Sequence, residues 1–391
     1  MKKLDEGLVS VLAAGGEADA VVRVRNPWQL GYIARHFKVA AMFPFISALG
    51  LRCDRKDAVR LAEMHEVVSV SASGRVSALD ALDTRDGGAA GETAENDGEA
   101  KQGASDASEG GRSADVGASS AAANAEAEIF SAKGLTGRGV TLCVLDTGVS
   151  PHSDISIPRD RVKEFRDFVG GKEFPYDDNG HGTFVTGVAA GNGILSAGEV
   201  HGVAPQADVV SVKVISASGE TGAFTILEGM QWLYDNFRRL NVKVACMSFG
   251  ADPLVSADPL KLGAEMLARS GITVVCAAGN SGVGGLKSPG VSGEVITVGA
   301  VDENLKVAPF SSSGVYQGVY RPDVYAPGVA VRGVDAGGTY AMMSGTSVSA
   351  PYVAGACCLL HERYSALTPR EAKRIIVASS RVVDGVRVFR L

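Results

Sequence analysis

The sequence predicts an α/β protein: a doubly wound, mostly parallel sheet with a smaller α+β unit ahead of it. Three observations lead there. Apolar strand-like runs recur through the later part of the chain with helical stretches between them, residues 18–79 alternate strand and helix on a tighter scale, and an acidic small-residue stretch separates the two. At 391 residues, 46% hydrophobic and 21% charged, the chain suffices for one large domain with a sizeable core and one small domain.

The start, Met1-Lys2-Lys3-Leu4-Asp5-Glu6-Gly7, has balanced charge, and the apolar run Leu8 to Ala14 is short and interrupted by Ser10. This argues against a secretory leader, and residues 1–17 read as a tail. Ala20 to Val24 alternates as a strand, and Asn26-Pro27 opens a helix through Phe37 with proline in its first turn. Phe43 to Leu51 reads as strands around a turn, and Asp54 caps a helix to about His65. Val67 to Val76 returns as a strand broken at Ser73-Gly74. Residues 18–80 are therefore expected as one β-α-β-β-α-β domain.

Residues 81–128 are almost all Ala, Gly, Ser, Glu and Asp. Such a stretch buries too little apolar area to offset its ordering entropy and is expected to be a disordered tether. Between Asp83 and Glu128 eleven acidic residues face Arg85, Lys101 and Arg112, a charge of −8 inside a chain of −6, so the remainder is near +2. Nothing here marks a nucleic-acid surface or an anionic-membrane patch. No apolar run reaches the about 20 residues of a membrane span.

Residues 129–391 carry the large domain. Strands are expected at Val140–Leu145, Val209–Val214, Val242–Met247, Ile272–Ala277 and Val295–Val298. Helices are expected at Phe224–Leu240 and Leu260–Ala268, with a capping box at Thr368-Pro369-Arg370-Glu371. Six cysteines (53, 143, 246, 276, 357, 358) form no CxxC pair and fit a reducing compartment.

Three glycine-bearing turns carry the chemistry: Leu145-Asp146-Thr147-Gly148, Asn179-Gly180-His181-Gly182-Thr183 and Ser344-Gly345-Thr346-Ser347-Val348-Ser349-Ala350-Pro351. Serine is a poor nucleophile until a base takes its proton; histidine does this near neutral pH, and a carboxylate fixes its tautomer. Ser347 is assigned as nucleophile, His181 as base then acid, and Asp146 as orienting carboxylate. Ser347 precedes an apolar helix (Val348 to Leu360), so its N–H faces a developing oxyanion, and Asn280, after the strand ending at Ala277, supplies the second donor. One Asp-Thr-Gly is not enough for an aspartic protease, which needs two facing aspartates. His36, His65, His201 and His361 read as surface groups without metal spacing, and His152 as structural.

With these motifs in this order, residues 129–391 resemble the subtilisin-like serine proteases, or subtilases. The loop Gly191–Gly202 and Lys287-Ser288-Pro289-Gly290-Val291 are closest to the intracellular alkaline-type branch. The resemblance implies serine endopeptidase activity through an acyl-enzyme, with Asp146, His181 and Ser347 as triad and Asn280 as oxyanion asparagine. Ser248-Phe249-Gly250 and Ala277-Ala278-Gly279 match the walls of the family's substrate cleft, and Gly219-Glu220-Thr221 matches the outer strand that pairs with extended substrate. Phe184 and Val348 depart from the family's usual His and Met without removing a reacting group.

Residues 18–80 resemble the family's ferredoxin-like, inhibitor-type propeptide, which implies a self-processing zymogen. Cleavage is expected after Leu79 or shortly downstream, with Leu79 in the primary pocket and Val76 in the outer one. Lys287 near the pocket base is the feature that favours an acidic residue instead.

The implied partners are protein or peptide substrates and the chain's own prodomain as intramolecular inhibitor, with no nucleic acid, no membrane and a monomeric state. No cofactor is required and no metal ligand is assigned. Asp177-Asp178-Asn179-Gly180 resembles a fragment of a calcium loop and leaves structural calcium open. The expected location is cytoplasmic, with secretion as the alternative. A competing reading is a catalytically silent or permanently prodomain-inhibited binding protein on the same fold.

Overall fold

The computed structural model describes residues 3–79, 82–83, 134–255 and 257–391. The tether expected over 81–128 lies outside these residues, except for the backbone of Leu82–Asp83.

The amino-terminal unit is a four-stranded antiparallel sheet in the order Val39–Phe43, Ala48–Cys53, Ala18–Val24, Val67–Ala72. Leu49, Leu51, Val22, Val70 and Leu61 form its core. Asp54 caps the helix Arg55–Glu63 by accepting the Asp57 N–H. The helix expected from Pro27 to Phe37 is shorter: a 3-10 turn at Pro27–Gln29 and a helix at Leu30–Ala34. Its end tightens into an i→i+3 bond from His36 to Ile33. Residues 1–17, expected as a tail, contain a helix at Glu6–Ala13 that buries Leu8 and Leu12 in this core. Asp5 caps it, and the i, i+4 spacing of the two leucines supplies the apolar face.

The large unit is a nine-stranded sheet. Its order is Arg381–Val383, Val386–Val388, Val324–Pro327, Ile296–Val301, Thr273–Ala277, Val242–Met247, Thr141–Asp146, Asp208–Lys213, Val162–Asp167. All neighbours are parallel except the edge hairpin at 381–388. The central strands are buried on both faces, as strands covered on both sides must be. Cys143 and Leu145 enter one core with the helices Ala223–Asn236 and Pro259–Arg269. Leu142 and Val144 enter the other with the helices His181–Ala190, Thr346–Arg363 and Pro369–Ala378.

After Thr141–Asp146 the chain builds outward to one side and later returns to the other, so a switch point opens beyond this strand's carboxyl end. Asp146 is its last residue, and Ser248 and Ala278 follow the next two strands.

The strand Arg75–Ala78 leaves the small sheet. It lies antiparallel between Glu220–Gly222 and Phe249–Gly250 of the large unit, pairing Val76 with Thr221 and Ala78 with Phe249. Phe43, Phe45 and Ile46 of the small unit belong to the large unit's core cluster. Among the described residues no helix is long and apolar enough to cross a membrane.

Candidate active site

Asp146 and His181 meet as expected. His181 Nδ1 lies 2.7 Å from Asp146 Oδ1, with both side chains buried. The Nδ1 proton therefore points at the carboxylate and the lone pair is carried on Nε2, the tautomer a general base needs. Asp146 Oδ1 also accepts the Thr147 N–H at 2.7 Å.

Close backbone approach makes this geometry. Thr147 Oγ1 accepts the Gly182 N–H at 2.8 Å, and a Cβ on Gly182 would stand 2.3 Å from the Gly148 carbonyl oxygen. Gly180, at φ 100°, turns the chain into the His181 helix in a conformation that L side chains rarely adopt.

Asp177 anchors that helix. Its Oδ1 accepts N–H groups of Asn179 and Gly180, and its Oδ2 accepts the N–H and hydroxyl of Thr183. Burial opposes the charge, but the hydrogen bonds from Gly180 and Thr183 outweigh it and hold the carboxyl below its usual range. Asp178 pairs with Lys213 Nζ at 2.7 Å. Lys213 is fully buried and also donates to the carbonyls of Thr147 and Ile215. The Asp-Asp-Asn-Gly stretch thus caps a helix and engages an internal cation. Its carboxylates are already committed to protein donors, which does not fit a calcium loop. Among the described residues no group of three or more His, Cys, Asp or Glu is poised for a metal.

Ser347 is the second residue of the helix Thr346–Arg363 and is fully buried. That helix packs against the His181 helix. The hydrogen bond from Ser347 Oγ to the imidazole is not formed here: Oγ has no hydrogen-bond partner among the described residues.

Asn280, expected as an oxyanion donor, sits against the start of the Ser347 helix. Asn280 Oδ1 accepts both the N–H (2.9 Å) and the hydroxyl (2.8 Å) of Thr346. Thr346 Oγ1 in turn accepts the Gly279 N–H at 3.1 Å. With Oδ1 committed to Thr346, the orientation of the amide is set and its NH2 is left for another acceptor. Thr346 escaped the sequence reading; its only signal was its place beside Ser347.

The segments expected as cleft walls contact the strand Arg75–Ala78 and Leu79. The Gly219 carbonyl accepts the Ala78 N–H at 2.8 Å and the Ser248 carbonyl accepts the Leu79 N–H at 3.2 Å. Val76, Ala78 and Leu79 are buried, and Leu79 shares an apolar cluster with Ala277. Lys287 and Ser288 bridge the Ala277–Gly279 and Ser248–Ala251 segments. The Lys287 N–H donates to Ala278, and Ser288 and Ala251 exchange backbone hydrogen bonds. A Cβ on Gly250 or Gly279 would meet the Lys287 side chain at 2.6 or 2.8 Å. The Lys287 ammonium is drawn aside to Asp252 at 2.6 Å.

Leu82–Asp83 pairs with Ser344 and Met343 on the strand Tyr340–Ser344. The same segment is therefore anchored on both sides of the Ser347 turn. This pairing was also missed in sequence, because a backbone ladder carries no residue-type signal.

Of the other histidines, His152 is structural: its Nδ1 accepts the Asp154 N–H and caps the short helix that follows. His361, expected on the surface, is buried with Nε2 2.9 Å from Thr273 Oγ1, because the helix carries it beneath the sheet. Phe184 and Val348 are both buried in one apolar cluster. All six cysteines are free and buried.

A mostly parallel sheet, a His–Asp pair at its switch point and a helix-borne serine beside an oriented asparagine define a serine-hydrolase architecture. The subtilase family matches residues 137–389, and the chain belongs to it. It is 38% identical over 288 residues to serine protease AprX of Bacillus subtilis (strain 168), covering 65% of this chain and 64% of that one. It is 40% identical over 232 residues to Subtilisin Savinase of Lederbergia lenta, covering 59% and 79%. Among solved structures, a cold adapted subtilisin-like serine proteinase superposes with a TM-score of 0.55 at 28% identity, covering 65% of this chain and 89% of that one. The chain thus spans less than two thirds of the length of AprX.

Proposed function

We propose that this chain is a serine endopeptidase that cuts extended polypeptide through an acyl-enzyme and is made as a self-processing zymogen. Ser347 attacks the carbonyl, His181 takes and returns the proton, Asp146 holds the imidazole, and Asn280 with the Ser347 N–H stabilises the oxyanion. Residues 18–80 act as the prodomain, residues 81–128 as the tether and residues 129–391 as the catalytic domain.

One observation carries this reading. Arg75–Ala78 pairs with Glu220–Gly222 and Phe249–Gly250, and Leu82–Asp83 pairs with Met343–Ser344, as extended substrate would on either side of Ser347. Self-cleavage after Leu79 or shortly downstream follows, and the strand ending at Leu79 stays as the intramolecular inhibitor. An apolar residue at the primary position is supported by Leu79 itself and by Asp252, which holds the Lys287 charge aside. Six free buried cysteines favour a reducing compartment and so the cytoplasm, with secretion as the alternative. The chemistry needs no cofactor, and a monomer suffices.

A fluorophosphonate probe tests the activity. Labelling of the processed chain that disappears in Ser347→Ala is the expected result. No labelling after removal of the amino-terminal unit favours the silent binding protein.

A further inference from the structure

The helix that carries Ser347 contains a proline one turn on, at Pro351. Proline has no N–H, so the Ser347 carbonyl loses the i→i+4 donor that a regular helix would give it. A buried carbonyl left alone is costly. Here the missing donor is replaced from across the cleft: Ser248 Oγ donates to the Ser347 carbonyl at 3.0 Å, and Ser248 is itself fully buried. The Ser248 carbonyl faces the other way and accepts the Leu79 N–H at 3.2 Å.

We propose that Ser248 is a positioning residue: its hydroxyl holds the Ser347 peptide unit at the vacancy left by Pro351, while its carbonyl holds the substrate backbone. One side chain and one carbonyl of the same residue then set the distance between nucleophile and scissile bond. The cleft wall, assigned above as a backbone surface, is in this account also part of the nucleophile's mount. The inference rests on the proposed endopeptidase reading and adds a residue that never touches the reacting atoms.

The hydroxyl and the proline form a matched pair, which supplies the test. The processed enzyme is compared as wild type, Ser248→Ala, Pro351→Ala and the double variant. Two readouts are taken: peptide kcat and KM, and the rate of fluorophosphonate labelling, a small probe that does not use the strand pairing. Ser248→Ala is expected to lower kcat and the labelling rate by about tenfold, with KM within about twofold, the effect of stranding one buried acceptor. Pro351→Ala restores an N–H to the Ser347 carbonyl. It should leave activity near wild type and bring the double variant back to within about threefold of it.

The inference is overturned if Ser248→Ala keeps full kcat, if its loss lies in KM with labelling unchanged, or if the double variant is no better than Ser248→Ala. Should Ser248→Ala fail to fold, the double variant is compared with Pro351→Ala alone. Near-equality supports the inference and a tenfold gap contradicts it. Absence of labelling in the wild type itself refutes the endopeptidase reading, an outcome separate from any difference among variants.

Discussion

The two sheets of this molecule bury themselves in opposite ways. The large sheet is covered on both faces by its own helices: alternate residues of Thr141–Asp146 enter separate cores, and the amino-terminal unit's four-stranded sheet contributes residues to one of them and none to the other. The small sheet has one core of its own, built on Leu49, Leu51 and Val70, and completes its other side by docking. Val21, Phe43, Phe45 and Ile46 pack with the helices Ala223–Asn236 and Pro259–Arg269, and Phe45 N–H donates to Gln231 Oε1. A small unit that places part of its apolar surface on a neighbour has little stability to spare alone. The comparison teaches a division of labour: the helix-covered sheet carries Asp146 at its switch point, and the docked unit delivers the strand Arg75–Ala78 beside it.

That division is sharpened first by removing a reacting contact. Asn280→Ala should lower peptide kcat by about 10²–10³ with little change in KM, read by steady-state kinetics on processed enzyme. The docked sheet is tested at Gly50, where a Cβ would stand 2.8 Å from the Phe224 ring. Gly50→Leu should raise the dissociation constant of the cleaved amino-terminal fragment about tenfold, measured as recovery of peptide turnover on dilution. The kcat of the freed enzyme should not change, since Gly50 leaves with the fragment.

A smaller and purely structural effect is expected at His361. Burial, with Lys243 adding to it, lowers its pKa from 6.5 to about 4. The folded state therefore keeps the ring neutral while the unfolded chain protonates it first. Its contribution is fully present above pH 6.5 and is lost as pH falls toward 4, at most about 3 kcal/mol. Denaturant midpoints at pH 7 and pH 4.5 should converge in His361→Gln more than in the wild type.

Much of the site was legible because its chemistry is written in short local segments. Asp146, His181 and Asn280 sit beside glycines that permit an approach a side chain would block. At Gly148 a Cβ would lie 2.1 Å from the Tyr176 carbonyl oxygen. The central strands were legible for the same reason that they are buried on both faces, since uninterrupted apolar runs have few other uses.

The misses are tertiary. Leu8 and Leu12 looked like a short tail because the surface that accepts them is a distant sheet. The strand Tyr340–Ser344 recognises Leu82–Asp83 by backbone, which leaves no residue-type signature. At Asp177 and Asp178, where the sequence left structural calcium open and assigned no metal ligand, helix capping and calcium binding draw on the same side chains, and the contacts to Thr183 and Lys213 show the capping role.

The central claim is that the segment ending at Leu79 lies across a working nucleophile. Intact mass and amino-terminal sequencing of the purified wild type beside Ser347→Ala test it most directly. The account predicts a wild type cut after Leu79 or within the following few residues, and a variant that stays whole. A wild type that remains intact, or the same cut in the variant, would contradict it.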